Sequence, residues 1–141
     1  FCDLINLEDI DLSNFYTKGV TNFYRMFKNC EKLTNIDLSG FDTSDAISMS
    51  VMFYGCNSLQ ELDLSGFNTN KVKNMSFMIL SCQQLETLDL ISFDMSGVTN
   101  TGSMLNDTGS IKNAYARTEE DAAILNAISG KPTTYTFVVK N

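Results

Sequence analysis

The sequence predicts an α/β solenoid, a right-handed coil in which each turn contributes one strand to a parallel sheet. The first observation behind this prediction is a 26-residue period that runs four times without a gap from Phe1 to Met104. The second is a short alternation of apolar and polar residues in each period, which is typical of a strand with one buried face. The third is a change of pattern after Leu105, where a shorter unit with helix and strand signals follows.

The period divides residues 1–105 into repeats at 1–26, 27–52, 53–78 and 79–104. Five columns hold the same residue in all four repeats: Leu7, Leu33, Leu59 and Leu85; Asp11, Asp37, Asp63 and Asp89; Leu12, Leu38, Leu64 and Leu90; Phe15, Phe41, Phe67 and Phe93; Met26, Met52, Met78 and Met104. A unit of this size cannot bury its apolar side alone, so we expect neighbouring repeats to stack around one continuous core.

The strand of each repeat is predicted at the string L-x-x-L-x-L, which residues 59–64 carry in full. This string is the strand portion of a leucine-rich repeat. The two-residue alternation of a strand turns Leu62 and Leu64 inward and Glu61 and Asp63 outward. One face of the sheet is therefore expected to be core and the other to be exposed to water.

A return segment is predicted after each strand. Residues 65–70 carry turn chemistry, and Val72, Met75 and Met78 then follow at spacings of three residues, with Ile79 next. This spacing predicts a helix-like or 3₁₀ segment that brings the chain back to the start of the next strand.

Residues 106–141 are predicted to form a capping unit that closes the coil. A last strand is expected within residues 111–116, and Thr118 opens a capping box with acidic residues in the first helical turn. Gly130 is placed to end that helix, and residues 134–139 alternate like a closing strand. The buried face of the helix is predicted at Ala122, Leu125 and Ile128.

The first repeat has no comparable unit before it. We therefore expect the chain to be the C-terminal piece of a longer array, with self-association at the uncapped N-terminal end as one consequence.

The string DLSGFDT or DLSGFNT, followed by M-x-x-M-F-x-x-C-x-x-L, resembles the BspA-like leucine-rich-repeat surface proteins of bacteria. Residues 33–59 carry this pattern most fully, and the resemblance covers nearly the whole chain. It implies an extracellular location on the bacterial cell surface and adhesion to a protein or glycan, including host-derived ones. It supplies no catalytic residue. The fourth repeat departs from the pattern at Ile91, where the other repeats have serine, and at Leu105 and Asn106.

Composition narrows the classes of function. The 141 residues include no histidine, which excludes Ser-His-Asp and Cys-His hydrolysis and His-ligated metals. The net charge of −7 disfavours nucleic acid and anionic lipid as partners. No apolar run approaches the roughly 18 residues that span a bilayer. We therefore expect a non-enzymatic chain with no cofactor, no metal site, no nucleic acid partner and no membrane insertion of its own.

Cys30, Cys56 and Cys82 share one column, so we expect them to stack about 4.8 Å apart. Three parallel thiols without histidine do not make a tetrahedral zinc site, and parallel side chains are poorly directed for disulfides. We expect these cysteines to serve as small buried apolar residues, as Leu4 would in the first repeat. Cys2 lies off this register and is expected to be the reactive thiol.

An acidic stripe is predicted on the outward face of the sheet, formed by the invariant aspartate column and the residues two positions earlier. Its six carboxylates belong to Asp9, Asp11, Asp37, Glu61, Asp63 and Asp89. The stripe suits recognition of a basic peptide or of Ca²⁺. The alternative is that each aspartate bonds the backbone or a hydroxyl of a neighbouring repeat as part of the structural consensus. Like charges at this spacing predict raised pKa values or bound cations.

Three other features of the sequence are alternative candidates for a binding or catalytic site. The methionine column, with Phe27 and Phe53, is expected to be core rather than a binding groove. The loop positions Tyr16, Asp42, Asn68 and Asp94 vary between repeats and form a second candidate surface. Residues 119–121 are consecutive acids at a helix start, where they diverge and favour the helix dipole, so catalysis there is rejected.

Two functions remain open. The favoured one is a non-enzymatic bacterial surface protein that binds a protein or glycan through the strand face or the variable loops. The alternative is a passive spacer that displays another domain and has no ligand of its own, which the uniformity of the aspartate column favours.

Overall fold

The computed structural model describes residues 1–140 and shows an α/β architecture with one four-stranded, all-parallel sheet and one helix. The elements are β1 (Glu61–Leu62), β2 (Thr87–Leu90), β3 (Asn113–Ala116), α1 (Glu119–Asn126) and β4 (Val138–Val139). The strands lie side by side in chain order, so every connection returns the chain to the same end of the sheet.

Residues that pair between β1 and β2 and between β2 and β3 are separated by 26 positions, the same number as the repeat in the sequence. Glu61 lies opposite Thr87, and Thr87 lies opposite Asn113, one 26-residue period apart in each case. The same register runs to Ala116 and so extends into the unit that the sequence assigned to the cap. Equivalent residues of successive repeats are therefore neighbours in space, which stacks each column of the sequence into a row across the sheet.

A second parallel ladder joins the return segments of successive repeats. Asn22 pairs with Ser48, Ser48 with Asn74, and Asn74 with Asn100. This ladder spans all four repeats, whereas the strands begin only at β1. The prediction of one strand per repeat is therefore wrong for residues 1–52, where the backbone hydrogen bonds between repeats lie on the return side.

The return segments consist of tight turns, and the predicted helix-like or 3₁₀ segment is wrong. The Met78 amide donates to the Met75 carbonyl at 3.2 Å, and the third residue of that turn, Phe77, has a φ of 58°. A left-handed residue interrupts any right-handed helix. The Phe77 amide instead donates to the Gly102 carbonyl of the next repeat at 2.9 Å. Left-handed φ values recur in this column at Arg25, Val51, Phe77 and Ser103.

The core lies between the sheet and the return segments. Leu62 and Leu64 are buried, and Glu61 and Asp63 are exposed, as the alternation predicted. Identical aromatic rings stack along the core, with ring centroids 5.6 Å apart for Phe27 and Phe53 and 6.5 Å apart for Phe67 and Phe93. The methionines of the invariant column at Met52, Met78 and Met104 are fully buried.

The helix of the capping unit begins as predicted and ends early. Thr118 is its N-cap, and the Thr118 hydroxyl accepts the Asp121 amide at 3.1 Å. The helix ends at Asn126, so Gly130 does not terminate it, and Ile128 is buried beyond the helix rather than on its face. Gly130 instead adopts a φ of 80° in a turn beside Asn106, where a Cβ atom would clash with the asparagine side chain.

The two strands of the capping unit are shorter than predicted. β3 occupies the last four residues of the predicted segment 111–116, and β4 occupies only two residues of the predicted segment 134–139. The segment between α1 and β4 forms an open pocket of about 280 Å³, which is lined by Lys131, Pro132 and Tyr135. Within residues 1–140, no helix has the length and apolar character needed to cross a membrane.

Candidate functional site

The strand face carries the acidic stripe, and the structure brings four of its six carboxylates together along two connected grooves. Glu61, Asp63 and Asp89 line an open groove of about 430 Å³ between the third and fourth repeats. Asp37 and Asp63 line a smaller groove of about 190 Å³ between the second and third repeats. Because Asp63 belongs to both grooves, the two form one continuous surface. Asp9 is exposed on the first repeat and lines neither groove.

Each aspartate of the invariant column is fixed by its own repeat. The Oδ1 atom of Asp37 accepts the backbone amide of Ser39 at 2.9 Å, and Asp63 accepts the amide of Ser65 at the same distance. Asp11 and Asp89 make the same bond to the residue two positions later. The expected bonds to neighbouring repeats are therefore wrong, because an aspartate side chain reaches the amide two residues on more easily.

The pKa shifts of Asp11, Asp37 and Asp63 run opposite to the prediction. The backbone amide and side chain of Ser13 lower the pKa of Asp11, and the side chain and backbone amide of Ser39 lower the pKa of Asp37. For Asp63, the bonds from Ser65 outweigh a small repulsion from Asp37, so its pKa is also lowered. The predicted raised pKa values are wrong, since local hydrogen bonds to the charged form dominate over screened repulsion between exposed carboxylates.

The stripe is neutralised at only one end. Asp89 lies 3.7 Å from the Nζ atom of Lys140, which also lies over the ring of Tyr115. Within residues 1–140, the other carboxylates of the stripe form no ion pair: Asp9, Asp11, Asp37, Glu61 and Asp63. The segments in which strands were predicted, residues 7–13, 33–39, 59–65 and 85–91, contain no lysine or arginine. The strand face is therefore negative over the first three repeats.

The stripe does not form a metal cage. Among the residues that the structure describes, no group of three or more His, Cys, Asp or Glu side chains converges to hold an ion. Each column aspartate is turned to the amide of its own repeat, whereas Ca²⁺ requires six to eight oxygen ligands around one point. The arrangement suits an extended cationic ligand better than a single metal ion.

The cysteine column is buried and carries free thiols. The Sγ atoms of Cys56 and Cys82 donate to the backbone carbonyls of Phe27 and Phe53 at 3.1 and 3.2 Å. Burial raises the pKa of both thiols, to about 12 for Cys82, which keeps them protonated and unreactive. The expectation that Leu4 is buried at the equivalent place is wrong: the residue is 43% exposed.

Cys2 is exposed, as its position off the register predicts. Desolvation and a hydrogen bond to the Asp3 carboxylate raise its pKa. A raised pKa lowers the thiolate fraction, so this thiol is accessible but not activated.

Buried hydroxyl groups link the repeats at a place that the sequence reasoning missed. The Thr17 hydroxyl donates to the Asp42 carbonyl at 3.0 Å and accepts the Asp42 amide at 2.8 Å. Thr43 and Thr69 make the same pair of bonds to the following repeat. The signal was present in the threonine that ends the string DLSGFDT. These bonds fix the variable loops, whose outer side chains remain exposed at Tyr16.

The acids at the start of α1 diverge as predicted. Glu119 and Glu120 are exposed, and Asp121 is buried. The carboxylate of Asp121 accepts one hydrogen bond from the Met95 amide at 2.9 Å and another from the Nε–H group of Arg117 at 2.8 Å. Met95 stands where the earlier repeats have the buried threonine, so Asp121 provides the polar link between the fourth repeat and the capping unit.

Comparison with known proteins identifies a family that matches most of the chain. A family model described as "Mycoplasma protein of unknown function, DUF285" matches residues 1–118. No curated protein and no solved structure matches the chain. The matched span includes all four repeats and β3, and it ends at the residue that caps α1.

Proposed function

The chain belongs to the DUF285 family of Mycoplasma proteins of unknown function, and from that premise we propose a BspA-like leucine-rich-repeat solenoid displayed outside a bacterial cell. Its role is non-enzymatic: the strand face binds a basic segment of another protein and thereby contributes to adhesion. Two features support the solenoid, namely the 26-residue register of the sheet and the parallel ladder of the return segments.

One observation carries the binding role. Five carboxylates of the stripe have no ion pair within residues 1–140, and hydrogen bonds hold three of them, Asp11, Asp37 and Asp63, in the charged form. Asp37 and Asp63 line the same groove, so these two charges lie side by side on one surface. A rigid row of anions costs little entropy on binding and favours an extended cationic partner.

The second candidate function is the passive spacer. It is favoured by the identical bonding of all four column aspartates, because a structural role explains uniformity better than a local site does. The two candidates differ in whether the isolated chain binds anything.

A binding screen of the chain against matrix proteins and glycans separates these functions. The test variant is Asp37→Asn with Asp63→Asn, because asparagine Oδ1 still accepts the amide of the turn while the two charges are lost. The matched control is Glu119→Gln with Glu120→Gln, which removes the same charge from exposed positions of α1.

We expect basic matrix proteins to bind the parent and the control and to bind the test variant at least about tenfold more weakly. Binding that survives in the test variant, or ligands that are only neutral glycans, would contradict the acidic stripe as the site. Absence of any ligand would favour the spacer.

A further inference from the structure

Tyr115 occupies, in the capping unit, the place that aspartate holds in all four repeats. The register of the sheet pairs Asp89 with Tyr115 and Tyr115 with Val138. Tyr115 is half-buried and stands between two buried alanines of β3, so the alternation of the strand places its ring on the outward face of the sheet. The row of carboxylates along the strand face therefore ends at an aromatic ring.

The ammonium group of Lys140 lies at this end of the stripe. Its Nζ atom is 4.9 Å from the centre of the Tyr115 ring and 3.7 Å from the Oδ2 atom of Asp89. The Oδ1 atom of Asp89 accepts the Ile91 amide at 3.0 Å, so the turn of the repeat leaves Oδ2 to face the cation. An aromatic face beside a carboxylate attracts an organic cation both through the ring quadrupole and through the charge.

The contact that Lys140 makes is open to water and can exchange for another cation. The side chain of Lys140 is 56% exposed, and that of Asp89 is 29% exposed. An exposed ion pair adds little to the stability of a fold, because water and salt screen it. Asp89 also lines the open groove that contains Glu61 and Asp63. A basic ligand in that groove therefore reaches the carboxylate that Lys140 occupies.

We propose that Tyr115 and Asp89 form a subsite for one lysine or arginine side chain of the basic partner, and that Lys140 occupies this subsite until the partner displaces it. The inference rests on the proposed binding role of the strand face and adds to it a residue that selects organic cations. A second cation cannot share the ring and the carboxylate with Lys140, because like charges repel at this distance. Lys140 is thus an internal substitute for the ligand, which lowers the apparent affinity of the strand face.

The test removes Lys140 and measures the affinity for a six-residue lysine peptide by NMR titration. Lys140→Gln removes one positive charge together with the group that occupies the subsite. The matched control is Lys112→Gln, which removes the same charge from an exposed ion pair with Glu86, outside the stripe. We expect Lys140→Gln to bind the peptide about threefold more tightly than the control, because the ring and the carboxylate become available to the peptide. The ring signals of Tyr115 should shift on binding.

A further variant, Lys140→Gln with Tyr115→Leu, keeps an apolar side chain and removes the aromatic face. It should lose the gain in affinity and bind the peptide like the control, and unchanged amide signals of residues 35–39 in the free protein verify its fold. Equal affinities of Lys140→Gln and Lys112→Gln would overturn the subsite and leave the proposed binding role standing. A peptide that binds neither the parent nor any variant would overturn both.

Discussion

Residues in the left-handed backbone conformation mark the turns between repeats. Ser81 has a φ of 61°, and the same column holds Gly55 at 73° and Asn29 at 57°. This conformation costs a residue with a side chain about 1–2 kcal/mol, and glycine adopts it without that cost. The column also holds Asp3 and Asp107. Aspartate and asparagine adopt this conformation more readily than other residues with a side chain, so the turn was predictable from the column as a whole.

Substitution of Ser81 by glycine is expected to stabilise the protein. Ser81→Gly relieves the strained backbone and should raise the free energy of unfolding by about 0.5–1 kcal/mol, after the entropy cost of glycine. Urea denaturation measures the change. Ser58→Gly, at a half-buried position without left-handed φ, is the control and should destabilise. A loss of stability in Ser81→Gly equal to that of the control would contradict the turn geometry.

Asp11, Asp37 and Asp63 owe their lowered pKa values to hydrogen bonds within their own repeats. Ser39→Ala removes the hydroxyl contribution and leaves the backbone bond, so the pKa of Asp37 should rise toward its ordinary value without reaching it. Carboxyl-detected NMR titration measures this shift. Asp63 in the same spectrum is the internal reference, because Ser65 is unchanged. An unaltered Asp37 would show that the serine side chain does not contribute.

The sequence located these aspartates on the correct face and failed on their chemistry. Alternation along residues 59–64 is sufficient to place Asp63 outward, since it depends only on the two-residue period of a strand. The prediction of raised pKa values considered only the repulsion between neighbouring carboxylates. It left out the hydrogen bond that the serine two positions later donates to the aspartate. That bond was predictable at residues 37–39, because aspartate commonly bonds the amide two residues on.

At the scale of elements, threonine hydroxyls join the loops of successive repeats. The buried Thr43 hydroxyl donates to the Asn68 carbonyl and accepts the Asn68 amide. Thr43→Val conserves volume and leaves both groups of Asn68 unpaired, so we expect a loss of about 1–3 kcal/mol in the free energy of unfolding. Thr21→Val, at an exposed threonine, is the control and should change stability by less than about 0.5 kcal/mol. Equal effects in both variants would exclude a special role for the buried column.

The sequence predicts an element correctly where residues close in the chain determine its conformation, and it fails where contacts with the neighbouring repeat determine it. The N-cap at Thr118 follows from a local capping pattern, and the structure has it. The return segments have helical spacing of apolar residues, yet they form turns whose amides bond the next repeat. Only the neighbouring repeat supplies those partners, so a sequence window within one repeat cannot reveal them.

For the whole molecule, stability is expected to fall on both sides of neutral pH. The lowered pKa values of Asp11, Asp37 and Asp63 give stability that is present above their unfolded pKa near 3.8 and lost as the pH falls through the folded values. The raised thiol pKa values of Cys56 and Cys82 give stability that is present below about 9 and lost as the pH rises.

No histidine titrates between these limits, so the denaturation midpoint should stay level from about pH 5 to 8. Thermal unfolding across the pH range measures this profile. Replacement of Cys56 by alanine should flatten the alkaline side and leave the acid side unchanged. A marked slope between pH 5 and 8 would contradict the assignment of these groups.

Charge is distributed unevenly over the whole molecule. All charged side chains in residues 7–13, 33–39, 59–65 and 85–91 are carboxylates, and Lys140 forms an ion pair only with Asp89 at one end of the stripe. The most direct test of the proposed binding role is an NMR titration of the labelled chain with a six-residue lysine peptide. We predict shift changes that centre on residues 35–39 and 61–65, weaken as salt screens the charges, and disappear in the Asp37→Asn, Asp63→Asn variant. Equal changes at Glu119 and Glu120, or persistence in that variant, would contradict the strand face as the binding surface.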